Sequence, residues 1–351
     1  MAKRWIVLFI LVVLTFPAAL TTAQPSTPPP WQRITPGGET ICADGSSYSY
    51  FYRPGTNDNL VIFFAGGGAC WDEGMCATES GMYRPNVPAD LPDRYRDGMF
   101  TDRPENPFQG DQIILLSYCT GDLHIGNSDH TYEQGSSRIT IHHRGFVNAQ
   151  TALAQIYERF PTPSRVFIAG GSAGSLGAIV HAKGILEHYD GVPAYHLGDS
   201  GVGVVAVGWT GFDVWGTVEV LHEWLPELEN TPPSDQTVNI LYKAVAARFP
   251  AVTFAQFTTV NDGVQSFFLA LTGESGWQEA MQQMLNDLQQ SVPNFRAFIN
   301  GGSGHTILTR PEFYTYQTAG IPFRDWLADL VSGIPVKSLH CTNCAVAELL
   351  N

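Results

Sequence analysis

The chain has 351 residues, of which 44% are hydrophobic and 15% charged, and its formal net charge is −14 at pH 7. Its length is ordinary for one α/β enzyme domain with insertions. The excess of acidic residues disfavours binding to nucleic acid, to anionic lipid and, at low salt, to long polyanions.

The N-terminus has the pattern of a secretory signal peptide, predicted to span residues 1–23. Lys3 and Arg4 precede an apolar run over residues 5–14, and small residues follow up to a cleavage site near Ala23. The apolar run is too short for a membrane span, which needs about 20 residues. We therefore expect a protein without stable membrane insertion that is secreted, outside the cell or into the periplasm, with a net charge of −16 once Lys3 and Arg4 are removed.

Residues 24–39 are rich in proline and polar residues, which predicts an extended lead-in outside the core. Residues 40–351 are expected to form a single catalytic domain. Strand-like and helix-like segments alternate along it, which is typical of an α/β fold with a mostly parallel central sheet and helices on both faces. The predicted strands are residues 47–53, 60–65, 112–118, 165–169, 194–197, 252–260 and 295–299. The predicted helices are residues 145–160, 173–189, 277–290 and 322–331.

One segment, about residues 202–250, interrupts this alternation between two strands that should be neighbours. It contains four aromatic residues close together, Trp209, Phe212, Trp215 and Trp224. Two interpretations are equally open. The segment is a cap inserted over the carboxyl edge of the sheet, or its aromatic residues belong to an ordinary core.

The six cysteines are an even number in a secreted chain, which indicates three disulfides among 15 possible connectivities. Short separations suggest two of the pairs and leave the third: Cys70 with Cys76, Cys341 with Cys344, and Cys42 with Cys119. A zinc site is disfavoured because the chain has no second C-x-x-C and no paired histidines near the first.

The strongest motif is Gly-Gly-Ser-Ala-Gly at residues 170–174, between a predicted strand and a predicted helix. A G-x-S-x-G turn in that setting exposes the serine hydroxyl on a tight corner. Ser172 is therefore the leading candidate for a nucleophile. Ser175 is a weaker candidate, because residues 173–177 loosely repeat the pattern but place this serine a turn into the helix.

A serine nucleophile needs a base and an acceptor that orients the base. Asp262 and His305 follow successive predicted strands, in the order Ser, Asp, His that is typical of α/β-hydrolases. Asp199 follows an earlier strand and is an alternative partner for the histidine. Otherwise, Asp199 would hold its loop by accepting backbone N–H bonds.

Acyl transfer also needs donors for the oxyanion of the intermediate. The Ala173 N–H, at the start of the predicted helix, is one candidate. Gly67 and Gly68 lie in a glycine run directly after an early strand, as in the H-G-G-G type of oxyanion hole.

Taken together, these motifs resemble those of pectin acetylesterases and the related Notum-type carboxylesterases, over about residues 40–332. The matching segments, in order, are residues 42–45, 63–70 with Cys76, 118–122, 170–174, 198–201, 260–265 and 305–306. The resemblance implies a serine hydrolase of α/β-hydrolase type with Ser172, Asp262 and His305 as triad, and it favours Asp262 over Asp199. It implies an oxyanion hole of Gly67, Gly68 and Ala173, and it suits the pairs Cys42–Cys119 and Cys70–Cys76.

Two positions depart from the family pattern. The family often has a tryptophan within or just after the glycine run, whereas here Ala69 and Cys70 precede Trp71. Ser175 stands where glycine is usual. The first departure puts the substrate contacts near the oxyanion hole in question.

These observations predict a secreted serine carboxylesterase that hydrolyses an O-acetyl or other short acyl ester, on a polysaccharide or a small molecule, through an acyl-enzyme. The alternatives are a lipase or deacylase of longer chains, a non-catalytic glycan-binding protein on the same scaffold, and a peptidase. The expected chemistry requires no metal and no organic cofactor. The sequence leaves the oligomeric state open.

Overall fold

The computed structural model describes residues 29–77, 79–134, 137–232 and 237–350. The predicted signal peptide lies outside the described residues. The strands are β1 (Gln32–Ile34), β2 (Tyr50–Arg53), β3 (Asn59–Phe64), β4 (Gln112–Leu116), β5 (Ser128–Gln134), β6 (Ser137–His143), β7 (Arg165–Gly171), β8 (Ala194–Asp199), β9 (Thr253–Thr259), β10 (Phe295–Asn300), β11 (Gln317–Thr318), β12 (Ile321–Pro322) and β13 (Leu339–His340). The α-helices are α1 (Glu73–Cys76), α2 (Gly145–Arg159), α3 (Ala173–His188), α4 (Gly211–Val214), α5 (Thr217–Trp224), α6 (Val238–Arg248), α7 (Gly263–Leu271), α8 (Trp277–Ser291) and α9 (Phe323–Val331). Short 3₁₀ helices span Leu91–Arg94, Gly98–Phe100, Pro226–Leu228 and Pro311–Tyr314.

The main sheet has the strand order β1-β2-β4-β3-β7-β8-β9-β10-β13. Neighbours from β4 to β13 run parallel, whereas β2 is antiparallel to β4 and to β1. Parallel neighbours need long crossovers, and here helices supply several of them. The predicted α/β architecture with a mostly parallel sheet is confirmed.

The sheet is covered on both faces. Phe295 and Phe298 of β10 are three residues apart, so their side chains point to opposite faces. On one face Tyr242 of α6 meets Phe295 edge to face at 5.6 Å, and on the other Phe323 of α9 meets Phe298 at 5.1 Å. Helix α3 packs on the face of α6 and contacts β3, β7 and β8. This arrangement brings the carboxyl ends of the parallel strands to one edge, where ligands bind in open α/β sheets.

Several elements of the structure were not predicted from the sequence, among them the edge strand β13 of the main sheet. Within the lead-in, β1 pairs with β2, because the edge of β2 offers unpaired backbone groups. Trp31, directly before β1, packs on the core. The hairpin of β5 and β6 and the helix α7 directly after Asp262 were not predicted.

The three expected disulfides are formed: Cys42–Cys119, Cys70–Cys76 and Cys341–Cys344. Among the described helices, none is long and apolar enough to cross a bilayer.

Several histidines are fully buried in this core and contact few charges. Burial lowers the pKa of His124 and His196 to about 3, and that of His143 and His181 to about 4. Burial acts in the opposite sense on two carboxyl groups and raises the pKa of Asp122 and Asp199 to about 6. The four histidines outnumber the two carboxyl groups, and their pKa values shift further. They therefore decide whether the free energy of unfolding rises or falls with pH.

We predict that the free energy of unfolding falls as the pH is lowered from 7.5 to 5. In the unfolded chain each histidine takes up a proton near pH 6.5, whereas in the fold it stays neutral down to pH 3 or 4. The stability that the neutral buried histidines contribute is fully present above pH 6.5 and is lost as the pH falls. Urea unfolding should show a loss of about 2 kcal/mol or more, after the opposing effect of the two carboxyl groups.

His196→Leu should make this pH dependence shallower, because it removes one of the four buried histidines that stay neutral in the fold. A stability that is constant or rises between pH 7.5 and 5 would contradict the prediction.

Candidate active site

Ser172 stands on the turn that joins β7 to α3. Its backbone has φ 55° and ψ −125°, a conformation that non-glycine residues rarely adopt. Its N–H donates a hydrogen bond of 2.7 Å to the Asp199 carbonyl oxygen, which ties the turn to the end of β8. Backbone strain of this kind is retained where the surroundings enforce it, often at functional sites. Ser172 is partly exposed and opens onto two clefts.

Glycines on both sides of Ser172 make this turn possible. A Cβ added at Gly174 would overlap the Phe64 carbonyl oxygen at the end of β3, and one at Gly170 would overlap the Gly174 carbonyl. A Cβ at Gly66 would lie 2.9 Å from the Ser172 Cβ. Only glycine therefore allows helix α3 to start so close to the ends of β3 and β7.

Ser175, the rival candidate, is fully buried in the first turn of α3. Its Oγ faces the Tyr242 hydroxyl in the core, and the side chain lines neither cleft. A substrate cannot reach this hydroxyl without displacing the core.

His305 and Asp262 form a hydrogen-bonded pair. The His305 Nδ1 lies 3.0 and 2.9 Å from the two carboxylate oxygens of Asp262. Asp262 is fully buried at the N-terminus of α7, where its Oδ1 also accepts the N–H groups of Val264 and Gln265 at 3.0 Å. These bonds fix the carboxylate, and the carboxylate in turn fixes the imidazole.

The other ring nitrogen, Nε2 of His305, is buried and has no hydrogen-bond partner among the described residues. His305 lines both clefts together with Ser172. Hydrogen bonds between a nucleophile and its base are often long without substrate and tighten in the complex. The unpaired nitrogen is thus available to a proton donor in the clefts.

Asp199 holds the loop after His305 rather than the imidazole. Its fully buried carboxylate accepts the N–H groups of Ile307 and Leu308 at 2.8 to 3.0 Å. Burial raises the pKa of Asp199 to about 6, which these backbone hydrogen bonds oppose. Of the two roles considered for Asp199, the geometry corresponds to the loop-holding one.

The glycine run after β3 lies beside Ser172. Gly68 has φ 78° and forms a β-bridge with Tyr83. The hydrogen bonds of this bridge run from the Arg84 N–H to the Gly67 carbonyl and from the Ala69 N–H to the Met82 carbonyl. The bridge therefore does not use the N–H groups of Gly67 and Gly68.

The first cleft at Ser172 is apolar, with a volume of about 110 Å³. Its wall is largely aromatic and aliphatic: Trp71, Leu123, Leu176, Val204, Val205, Trp209, Phe212, Trp215, Val238, Val264, Phe268 and Trp277. Trp71 meets Trp209 edge to face at 5.1 Å, so the displaced tryptophan after the glycine run packs against this wall.

The aromatic segment that sequence analysis left open is divided between two environments. Trp209, Phe212 and Trp215 line the apolar cleft. Trp224 instead packs beside α3, where its Nε1 donates to the Val180 carbonyl at 2.9 Å. Helix α6, in the same segment, packs on the sheet through Tyr242, which meets His196 of β8 and Phe295 of β10 edge to face.

The second cleft is a wider, more polar groove of about 490 Å³. It also reaches Ser172 and His305, and its lining includes the glycine run, Tyr83, Arg84 and Thr309. Three residues of the clefts were not predicted as site residues because they lie outside the strand-end motifs: Arg84, Phe268 and Trp277. Trp71 was noted only as a departure from the family pattern. An amphipathic pattern in the helix after Asp262 was the one available signal for Phe268.

Comparisons with known proteins agree with this architecture. The family model described as pectinacetylesterase matches residues 35–237. No curated protein matches the chain. Two solved crystal forms of the Wnt deacylase Notum from Drosophila are similar over 91% of this chain. One has 17% identity, 96% coverage of its own chain and a TM-score of 0.64, and the other has 16%, 97% and 0.63. At this identity the similarity establishes the α/β-hydrolase-like fold.

Proposed function

The chain belongs to the pectinacetylesterase family and is a carboxylic ester hydrolase, and we propose that it acts through a covalent acyl-enzyme on Ser172. The observation that carries this proposal is the His305 imidazole. It is held by Asp262 through Nδ1 and faces, with Ser172, onto the same two clefts. This is the set of groups that a serine esterase requires.

In the proposed reaction, the Ser172 Oγ attacks the ester carbonyl carbon while Nε2 of His305 takes its proton. The tetrahedral intermediate collapses, the C–O bond to the alcohol breaks, and His305 returns the proton to the departing alcohol. Water then attacks the acyl-enzyme by the same route and releases the carboxylic acid. Asp262 keeps the imidazole in the required tautomer throughout and stabilises its protonated form.

The oxyanion of both intermediates is bound by the backbone N–H groups of Gly67, Gly68 and Ala173. Two features support this assignment. The β-bridge at Gly68 leaves the first two groups unused, and Ala173 is the first residue of α3, where N–H groups lack partners inside the helix. One such donor contributes about 3 to 4 kcal/mol to transition-state stabilisation.

We assign the two halves of the ester to the two clefts. The acyl group occupies the apolar cleft, with residues 202–216 as the cap over it, because burial of each methylene contributes about 0.8 kcal/mol. The alcohol half occupies the polar groove. The aromatic wall extends well beyond what an acetyl methyl group can contact, which favours a longer acyl chain than acetyl.

The signal-peptide pattern of residues 1–23 and the disulfides support secretion of the mature protein. Disulfides persist in oxidising compartments and are rare in a reducing cytosol.

The role of Ser172 predicts a sharp difference between two serines of the same helix turn. Ser172→Ala should lower kcat on p-nitrophenyl butyrate by at least about 10³-fold, because it removes the attacking oxygen. Ser175→Ala should stay within about threefold of the wild type, because that hydroxyl is buried away from both clefts.

Steady-state hydrolysis by the purified mature proteins tests this, with thermal melting to show that each variant is folded. Equal loss in both variants, or wild-type activity in Ser172→Ala, would exclude Ser172 as the nucleophile.

The apolar cleft predicts the acyl-length profile. We expect kcat/KM on p-nitrophenyl esters to rise from acetate to butyrate by about tenfold, because two methylenes enter the aromatic wall. Trp209→Ala should reduce the gain for butyrate more than the rate on acetate. A profile that falls steadily from acetate through butyrate to decanoate would instead assign the enzyme to acetyl esters.

A further inference from the structure

We propose that Arg84 binds an anionic group, a carboxylate or a sulfate, on the alcohol half of the ester; this rests on the proposed function. Arg84 lies in the polar groove, on the loop that faces the glycine run. The other ionisable residues that line the groove, among those described, are His305 and two tyrosines. No described aspartate or glutamate lines it. The chain as a whole has a net charge of −14, whereas Arg84 gives this groove beside the proposed nucleophile a positive charge.

Arg84 is held in place beside the reacting centre. Its backbone N–H donates to the Gly67 carbonyl at 3.1 Å. Its aliphatic stem packs on the same glycine, since a Cβ added at Gly67 would lie 3.4 Å from the Arg84 Cδ. The position of the guanidinium group is therefore coupled to the glycine run, which supplies two of the proposed oxyanion donors.

The guanidinium group has no carboxylate within salt-bridge distance; it interacts with the Tyr95 hydroxyl, and Asp90 attracts it only at longer range. Its Nη1 is buried without a hydrogen-bond partner, and none of the described carboxylates forms a salt bridge with it. Burial lowers the pKa of Arg84, which reflects the cost of keeping this charge away from water. The adjacent Tyr95 offers no negative charge, because burial raises its pKa to about 12.

A partly buried cation with unused donors is stabilised by an anion that accepts bidentate hydrogen bonds, as carboxylates and sulfates do. The apolar cleft is lined by hydrophobic side chains that suit an acyl chain, so the anion belongs to the alcohol half in the groove. Arg84 thus acts as a residue that determines specificity for the leaving group.

The test uses acetate esters that differ in one group: 4-acetoxybenzoate, 4-acetoxyphenyl sulfate and the neutral 4-acetoxybenzamide. Arg84→Gln should lower kcat/KM on the anionic esters by about tenfold or more, because charge-assisted hydrogen bonds are lost, and on the amide by less than threefold. Arg84→Lys should recover part of the difference. Arg96→Gln, an exposed arginine of the same loop outside both clefts, is the matched control and should behave as the wild type. The two anionic esters distinguish a carboxylate site from a sulfate site.

Equal loss on all three esters would overturn the proposal, because it would mean that Arg84 supports the fold or the oxyanion. A kcat/KM of Arg84→Gln that equals the wild-type value on all three esters would overturn it as well. Binding of 4-hydroxybenzoate and 4-hydroxybenzamide to Ser172→Ala protein, measured by calorimetry, separates this proposal from the hydrolase. If the wild type hydrolyses no ester but benzoate binding still requires Arg84, the anion site stands and the acyl-enzyme mechanism is wrong. If neither selectivity nor binding depends on Arg84, the anion site is wrong.

Discussion

Helix α3 begins next to the ends of β3 and β7 because no side chain separates them, and the geometry of the site depends on this contact. A Cβ at Gly174 would overlap the Phe64 carbonyl, and a Cβ at Gly66 would press on the serine turn. The close approach forces Ser172 into its positive φ and brings the glycine run beside it. A larger residue at Gly174 would move Ser172, the proposed nucleophile, away from its proposed oxyanion donors.

A second set of contacts holds the histidine loop against this turn. Ser172 donates to the Asp199 carbonyl, and the Asp199 carboxylate accepts two N–H groups of the loop after His305. Thr306 donates to the Ser200 hydroxyl at 2.9 Å, and Thr306 and Ser200 share with Ser172 a positive φ. Hydrogen bonds through Asp199 thus link these three residues of positive φ, which follow β7, β8 and β10. Asp199 holds the loop that carries His305 without a hydrogen bond to the imidazole.

The positions proposed for the triad could be taken from the sequence because each candidate lies within a few residues of the end of an apolar strand, and parallel strands end at the same edge of a sheet. Arg84 was not predictable in this way. It lies in a loop without periodicity and reaches the groove through the bridge between Gly68 and Tyr83. The cleft wall likewise joins Trp71 to Trp277, which are distant in the chain, and only the folded sheet brings them together. Strand-end motifs are local in sequence, whereas the surfaces that select a substrate are not.

The most direct test of the acyl-enzyme account is covalent labelling of the mature protein with a fluorophosphonate, followed by intact-mass measurement and peptide mapping. The account predicts one adduct, on Ser172, whose formation becomes much slower in His305→Ala because the serine loses its base. An adduct on Ser175, or no adduct on a folded protein that still hydrolyses esters, would contradict it.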